Sequence, residues 1–416
     1  MFDPYAGFQS CVLENGLTVY ASQWEGRPWE HVGFVVHSGA FSDPIGLEGV
    51  AHFVEHLVSK NADLPFEELK EFFGRYGGGA KFGSTGYPKT SYSFFVPIQP
   101  DVLAQAFSLF GSMLIRAKLE NFVERERNVV KAEITKKYPT EFLLDIAQRE
   151  RRMLYHDCWL GRVVRAFGSL ESVDLITVAD LQSYYDQHYV PANISVVAVG
   201  GLSLDEVIRI ISESPFSMKK VGQRNPPIVP LSELALPLEN RYEVDLSEHL
   251  KTVAKNGIYS SVARIPMNIS PAALSLASMV LDKLLRRELR EKRAWTYHAS
   301  SDWTNYRCCY QFNIGCEAFA ISALNEIEAV VNDCIVAIDS NELVEEMRTR
   351  KLAKFLMLDV SGGGVCNDVM DDVGRFDKII SVKEIMASYQ SVTMEDIREV
   401  LSYLCPERRW TAISHP

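Results

Sequence analysis

The sequence predicts an α+β protein made of two related halves, and three observations carry that reading. Segments with the two-residue period of strands and the 3.6-residue period of helices are mixed without a regular β-α-β rhythm. A stretch near the middle, VGQRNPPIVPLSELALPLEN (221–240), holds Pro226, Pro227, Pro230 and Pro237, a density that breaks helices and weakens strands. The two sides of it echo each other, ITVADLQSYYDQHYVPANISVVAV (176–199) against VTMEDIREVLSYLCPERRWTAIS (392–414). Each opens with Thr followed three residues later by Asp, Thr177/Asp180 and Thr393/Asp396, a variant of the capping box that starts a helix. Each then passes through a Pro into a β-rich run. A chain of 416 residues is too long for one core, so the expected division is a first domain at 1–222, a linker at 223–240 and a second domain at 241–416.

The elements follow in order. CVLENGLTVY (11–20) alternates around Asn15-Gly16, the dipeptide that favours a type I′ hairpin turn. HVGFVVHSG (31–39) and TSYSFFVP (90–97) read as strands. Apolar spacing predicts helices at 47–59, 65–76, 100–117, 122–137 and 177–189. GGGAKFGSTGYPKTSY (77–92) mimics the spacing of a phosphate loop between Gly78 and Thr85, but Ser84 stands where that loop needs Lys, so phosphate charge would go unmatched. VSGGGVCND (360–368) also lacks a lysine and is read as a flexible turn.

Composition narrows the function. Apolar residues make up 47% and charged residues 23%, ordinary for a globular protein. A net charge of −11 argues against nucleic acid, which requires a basic face. No apolar run reaches the length of a membrane span, and MFDPYAGFQS lacks the basic and apolar regions of a signal peptide. Eight cysteines are scattered with no C-x-x-C pair, as expected of buried thiols in a reducing compartment. Cytoplasm is the expected location.

The chemistry concentrates in GVAHFVEHLVSK (49–60), where His52 and His56 lie among Val50, Phe53, Val54 and Leu57 with Glu55 between them. On a helix the two histidines are one turn apart on one face, so both rings reach one ion. Glu55 is rotated by about 100° from His56 and can lean over a water held there. H-x-x-E-H is the inverted form of the H-E-x-x-H zinc site. A third ligand is supplied by FVERERNVVKAEITKKY (122–138), whose expected inner stripe of Phe122, Val129 and Val130 also carries Glu126 and Glu133. A carboxylate on an apolar stripe requires a cation. His52, His56 and Glu133 form a His₂Glu set that leaves one zinc position open, with Glu126 orienting a ligand from behind.

Residues 49–57 and 124–133 resemble the pitrilysin/insulysin and mitochondrial-processing-peptidase family of inverzincin metallopeptidases. The 77-residue interval from His56 to Glu133 and the run RERNVVKAE are similar to that family's ligand spacing and downstream motif. The resemblance implies one Zn²⁺ per chain on His52, His56 and Glu133, Glu55 as general base and Glu126 as supporting acid. LREKRAWTY (289–297) resembles the family's second-half segment, implying that Arg290 and Tyr297 hold the substrate backbone and stabilise the oxyanion. Phe82, Gly83, Ser84 and Thr85 correspond to the edge strand that pairs with substrate, where the family usually has Asn in place of Phe82. Two further departures are the absence of a glycine-rich turn before LREKR and R-A-W-T-Y in place of R-G-L-A-Y. PAALSLASMVLDKLL (271–285), where the histidine helix should recur, contains no His.

Together these features predict a zinc endopeptidase acting on peptides or unfolded segments, with two α/β-sandwich halves. The resemblance implies a four-domain clamshell, completed by a homodimer or by a heterodimer with a related chain. The alternatives are an inactive assembly subunit and a maturation protease dedicated to one peptide. The acidic balance suggests a chamber that favours basic or neutral peptides.

Overall fold

A computed structural model of the chain describes residues 3–138, 141–162, 166–220, 222–226, 228–245, 256–319, 321–356 and 360–415. Packing divides the chain into two units: Met1–Lys137 with Arg165–Pro227 and Asp359–Val382, and Tyr138–Val164 with Ile228–Leu358 and Lys383–Pro416. Two segments thus cross the division read from the proline-rich stretch, because each covers a sheet face in the other half of the sequence.

In the first unit, strands β1 (Gln9–Val12), β2 (Thr18–Gln23), β3 (Trp29–Val36), β4 (Gly79–Lys81), β5 (Thr90–Pro97) and β6 (Ile194–Gly200) form one sheet in the order β1-β2-β6-β3-β5-β4. Only β2 and β6 run parallel. Alternation sorts the side chains as the strand period requires. Val32, Phe34 and Val36 on β3 and Ile194, Val196 and Ala198 on β6 enter the main core, while Val35, Val197 and Val199 face the other way. That second face is covered by a helix at Gly362–Phe376, through Val365, Cys366, Val369, Met370 and Val373.

The segment expected as a flexible turn, 360–368, is therefore the first part of a helix. Ser361 caps it, its hydroxyl accepting from the Gly364 amide at 3.1 Å. Its glycines belong to packing: a Cβ on Gly362 would come within 2.8 Å of the His31 ring. The β1–β2 hairpin forms as expected, but with a different turn. Leu13 donates to Leu17 and Gly16 to Leu13, and Gly16 has φ of +86° whereas Asn15 is not among the positive-φ residues. That is a three-residue loop ending in a left-handed glycine, whereas type I′ needs positive φ at both central residues.

In the second unit, β7 (Arg241–Asp245), β8 (Gly257–Ile265), β9 (Thr296–Asn305), β10 (Tyr310–Ala318) and β11 (Arg409–His415) form a sheet in the order β7-β11-β8-β10-β9. Its centre repeats the first sheet: β11 is parallel to β7 and antiparallel to β8, as β6 is to β2 and β3. The two echoed segments occupy equivalent places. Helices Val178–His188 and Met394–Ser402 both start from reciprocal Thr/Asp capping boxes, and each leads through a short proline turn into that central strand. Tyr259, Phe312 and Ile314 pack against helix Pro271–Leu285. On the opposite face, Arg264 pairs with Asp157 through both terminal nitrogens and Tyr155 donates to Gln311, which fixes residues from the 138–164 segment there.

Glu30 on β3 is fully buried. One carboxylate oxygen accepts from the Leu202 amide at 3.1 Å and the other has no partner. Burial pushes its pKa up to about 8. The folded chain then keeps a proton that the unfolded chain has lost at its ordinary value near about 4.3. Stability is greatest below that value and declines as pH rises towards 8. Glu30→Gln, neutral at every pH, is expected to remove a decline of about 4 kcal/mol between pH 4 and 8, read from urea unfolding at several pH values. Parallel stability curves for the two proteins would refute the assignment.

Candidate metal centre

The histidine helix spans Val50–Lys60, close to the expected 47–59. Val50, Ala51, Phe53, Val54, Leu57 and Val58 are buried, which locks one side into the first core. Its N-terminus is capped from outside its own sequence. The Asp43 carboxylate accepts from the Gly49 amide at 2.6 Å and from the Ala51 amide at 3.0 Å, satisfying donors a helix start leaves open. Burial raises the Asp43 pKa well above the carboxylate range, with the two amides pulling against it.

The rings of His52 and His56 sit edge to face with centroids 4.6 Å apart. Glu133 reaches both: its Oε2 lies 3.6 Å from His52 Nε2 and 3.7 Å from His56 Nε2. Glu126 approaches the other side of His56, its Oε2 lying 3.3 Å from Nδ1. Both acids come from helix Val123–Lys137, but its buried stripe is Val123, Glu126, Val130 and Ile134. Phe122 and Val129, expected inside, are exposed, since Phe122 precedes the helix with φ of +65°. Glu126 is buried, whereas the Glu133 side chain is 48% exposed and leans inward from the stripe's margin.

Burial, with the neighbouring His56, pushes the His52 pKa down to about 3. Its ring is neutral across the physiological range, the form that binds metals. Its Nδ1 is buried without a partner. The Glu55 carboxyl is also buried, which raises its pKa. It sits 4.0 Å from His52 Nε2 and accepts a hydrogen bond from Thr85 Oγ1 at 3.1 Å. His52, Glu55 and His56 can present ligand atoms within 4.8 Å of one another, so Glu55 and Glu133 compete for the third place. Glu133 fits better, because one of its oxygens is nearly equidistant from both Nε2 atoms at separations close to the ~3.4 Å that tetrahedral bonds of ~2.1 Å impose.

Residues 82–85 do not form the edge strand. The terminal strand of the sheet is β4 at Gly79–Lys81, and Ser84 and Thr85 only touch β5, through the Ser91 amide and a bridge to Thr90. Phe82 turns into the core and meets Phe66, Phe73 and Phe110. Gly83 packs against Glu55 so closely that a Cβ there would lie 2.0 Å from Oε1. Gly83 and Thr85 therefore border Glu55, and Phe82 supports them from beneath. The sequence reading missed this, as it missed Asp43. The only available signal was Asp43 preceding the glycine-bounded helix start.

Arg290 and Tyr297 belong to the second unit. Arg290 lies in the π-helical turn Arg286–Lys292 and Tyr297 on β9, so the two share no helix face. Tyr297 is 78% exposed and its ring lies 4.8 Å from that of Phe319. Ala294, where the family usually has Gly, adopts φ of +54°, a left-handed conformation that glycine takes without penalty.

The insulinase (peptidase family M16) profile matches residues 21–152, and the profile described as peptidase M16 inactive domain matches residues 175–350. The chain belongs to peptidase family M16. It is 23% identical over 398 residues to an uncharacterized zinc protease of Streptomyces coelicolor, covering 88% of this chain and 81% of that one. The beta subunit of the mitochondrial-processing peptidase of Saccharomyces cerevisiae is 25% identical over 56% of this chain and 47% of its own length. The crystal structure of a peptidase M16 inactive domain from Pseudomonas fluorescens superposes with a TM-score of 0.82 at 16% identity, covering 98% of both chains. That agreement establishes the M16 fold for both units.

Asp43→Ala is expected to lower the unfolding free energy by about 1–2 kcal/mol, since it leaves two helix-start amides unpaired. Asp43→Asn, which keeps an acceptor, should cost less. Equal stability of all three proteins in denaturant titrations would show that the cap is not needed.

Proposed function

We propose that this M16 chain is a zinc-dependent endopeptidase that cleaves peptides or unfolded polypeptide segments. The observation that carries the reading is the convergence of His52, His56 and Glu133 while Thr85 and Gly83 hold Glu55 to one side. His52 Nε2, His56 Nε2 and Glu133 Oε2 would hold the ion, which when bound supplies Lewis acidity for the scissile carbonyl and for water. Glu126, at His56 Nδ1, fixes that ring's tautomer and orientation. Glu55 takes the proton from the attacking water and delivers it to the leaving amine. Its burial raises its affinity for that proton. The free edge at β4 and residues 84–85 offers backbone groups to an extended peptide, so binding needs little sequence. Arg290 and the exposed Tyr297 are assigned to the substrate backbone and the oxyanion. Cytoplasm is the proposed location: all eight cysteines are free, and no helix of the described residues is long and apolar enough to cross a membrane.

Glu55→Gln should abolish cleavage of a quenched peptide pool while zinc remains bound, because Glu55 is base and not ligand. His52→Ala and Glu133→Ala should lose both, by elemental analysis of the purified proteins. Loss of zinc from Glu55→Gln to the same extent as from His52→Ala would overturn the roles. Full zinc occupancy with no hydrolysis of any peptide would favour a non-catalytic assembly subunit instead.

The proposed assembly is a homodimer whose partner completes the site, Tyr297 of one chain serving the zinc of the other. Two-fold symmetry then gives two equivalent sites. A heterodimer with a related chain is the alternative. Mixing a Glu55→Gln chain with a Tyr297→Phe chain leaves one site of the mixed dimer intact if Tyr297 acts in trans, so activity should rise well above both parents. Activity at the average of the parents would eliminate the trans arrangement.

A further inference from the structure

Beside the three glutamates of the candidate centre stands one lysine. His52, His56 and Lys60 stand at four-residue intervals on one face of the Val50–Lys60 helix, so Lys60 begins about 6 Å beyond His56 along the axis. Side chains on a helix lean towards its N-terminus, which brings the Lys60 stem back towards the centre. The Lys60 ammonium lies 3.1 Å from the centroid of the Phe66 ring, and Phe66 meets Phe82 edge to face at 5.3 Å. Phe82 is followed by Gly83, which touches Glu55. Lys60 is thus joined to the candidate base by a short chain of contacts within one unit.

The charges acting on Lys60 are those of Glu126, Lys70, Arg125 and Glu67. Both acids are already engaged: Glu126 faces His56 Nδ1 at 3.3 Å, and Glu67 pairs with Lys70 at 3.0 Å. Among the described residues, Lys60 and Arg125 have no carboxylate within ion-pair distance. Lys60 therefore stands one turn beyond His56 with no direct ion pair, held against the Phe66 ring that it shares with Lys70. A partly buried ammonium with no carboxylate in contact favours one that can supply a charge-assisted hydrogen bond.

Resting on the peptidase reading, we propose that Lys60 forms a subsite for a substrate carboxylate near the scissile bond. The substrates preferred at this position are acidic peptides, opposite to the preference the overall charge suggests. An extended peptide advances about 3.3 Å per residue, so the carboxylate belongs roughly one to three residues from the cleaved bond. It can come from an Asp or Glu side chain or from the peptide's own C-terminus.

The test uses fluorescent decapeptides with one cleavable core and Glu, Gln or Lys placed in turn at each of three positions on either side. All carry amidated C-termini. A second set has Gln throughout and a free C-terminus at the same distances. The wild-type protein should cleave the best Glu peptide about fivefold faster in kcat/KM than its Gln counterpart, and the advantage should shrink in high salt. Lys60→Met should erase the advantage, bringing the Glu and Gln peptides to equal kcat/KM, and Lys60→Glu should transfer it to the Lys peptide. A gain for the free C-terminus in place of the side chain would also support the subsite and identify its carboxylate. Equal rates for Glu and Gln at every position, or a preference unchanged by Lys60→Glu, would overturn the proposal. Binding of the same peptides to zinc-loaded Glu55→Gln protein reads the preference without hydrolysis. Retained preference without cleavage in the wild type would count against the peptidase reading alone, and cleavage without preference against Lys60 alone.

Discussion

The structure of the first unit turns on one requirement: two imidazoles and a carboxylate have to be held at the edge of an apolar core without being lost into it or released to water. Val50, Phe53, Val54, Leu57 and Val58 anchor the helix, so its polar face cannot rotate away. The helix Val123–Lys137 closes that face with acids, not with more apolar surface. Burying such groups unpaired would be costly. In this arrangement His52 stays neutral, His56 has Glu126 behind it, and Glu55 is bonded to Thr85. Whatever stabilises the two-helix contact also fixes the spacing of His52, His56 and Glu133, so core packing and the geometry of the candidate site cannot be separated here.

The parts of this site legible in the sequence are those that repeat at helical spacing. His52, Glu55 and His56 are readable because a helix turn places them together, and Glu126 and Glu133 because they lie seven residues apart on a second helix. Asp43 was not readable: it caps the helix from six and eight residues upstream across a turn, and no periodicity links it to the amides. Phe82 was assigned to substrate because its neighbours match an edge strand. The strand ends at Lys81, and the ring is drawn inward by Phe66, Phe73 and Phe110. The glycine run at 362–364 reads as a turn on propensity alone. It is helical because the His31 ring and the bare side of β3 and β6 need a helix that can come very close. Local propensity yields to tertiary contact at these positions.

The repeated halves show how duplication leaves room for specialisation. Both sheets keep the same central arrangement of one parallel and several antiparallel neighbours, and both central strands follow a Thr/Asp-capped helix. Yet the helix after β3 carries the histidines, while its counterpart after β8, Pro271–Leu285, buries Ala, Leu and Val. The second copy is free of the burden of polar groups at the core margin. It instead extends into a π-helical turn and an exposed Tyr297 on β9.

The exchange of covering segments has a consequence for how the protein is made. When β6 leaves the ribosome, the sheet it completes still has Val35, Val197 and Val199 bare on one side. The helix that hides them emerges about 160 residues later, which at ordinary elongation rates is on the order of ten to thirty seconds. During that interval the nascent chain presents a flat, β-branched surface of the kind that seeds aggregation, and long-range closure makes its burial slow as well as late. Synthesis of this fold thus leaves that face without its covering helix until most of the second half of the chain has been made.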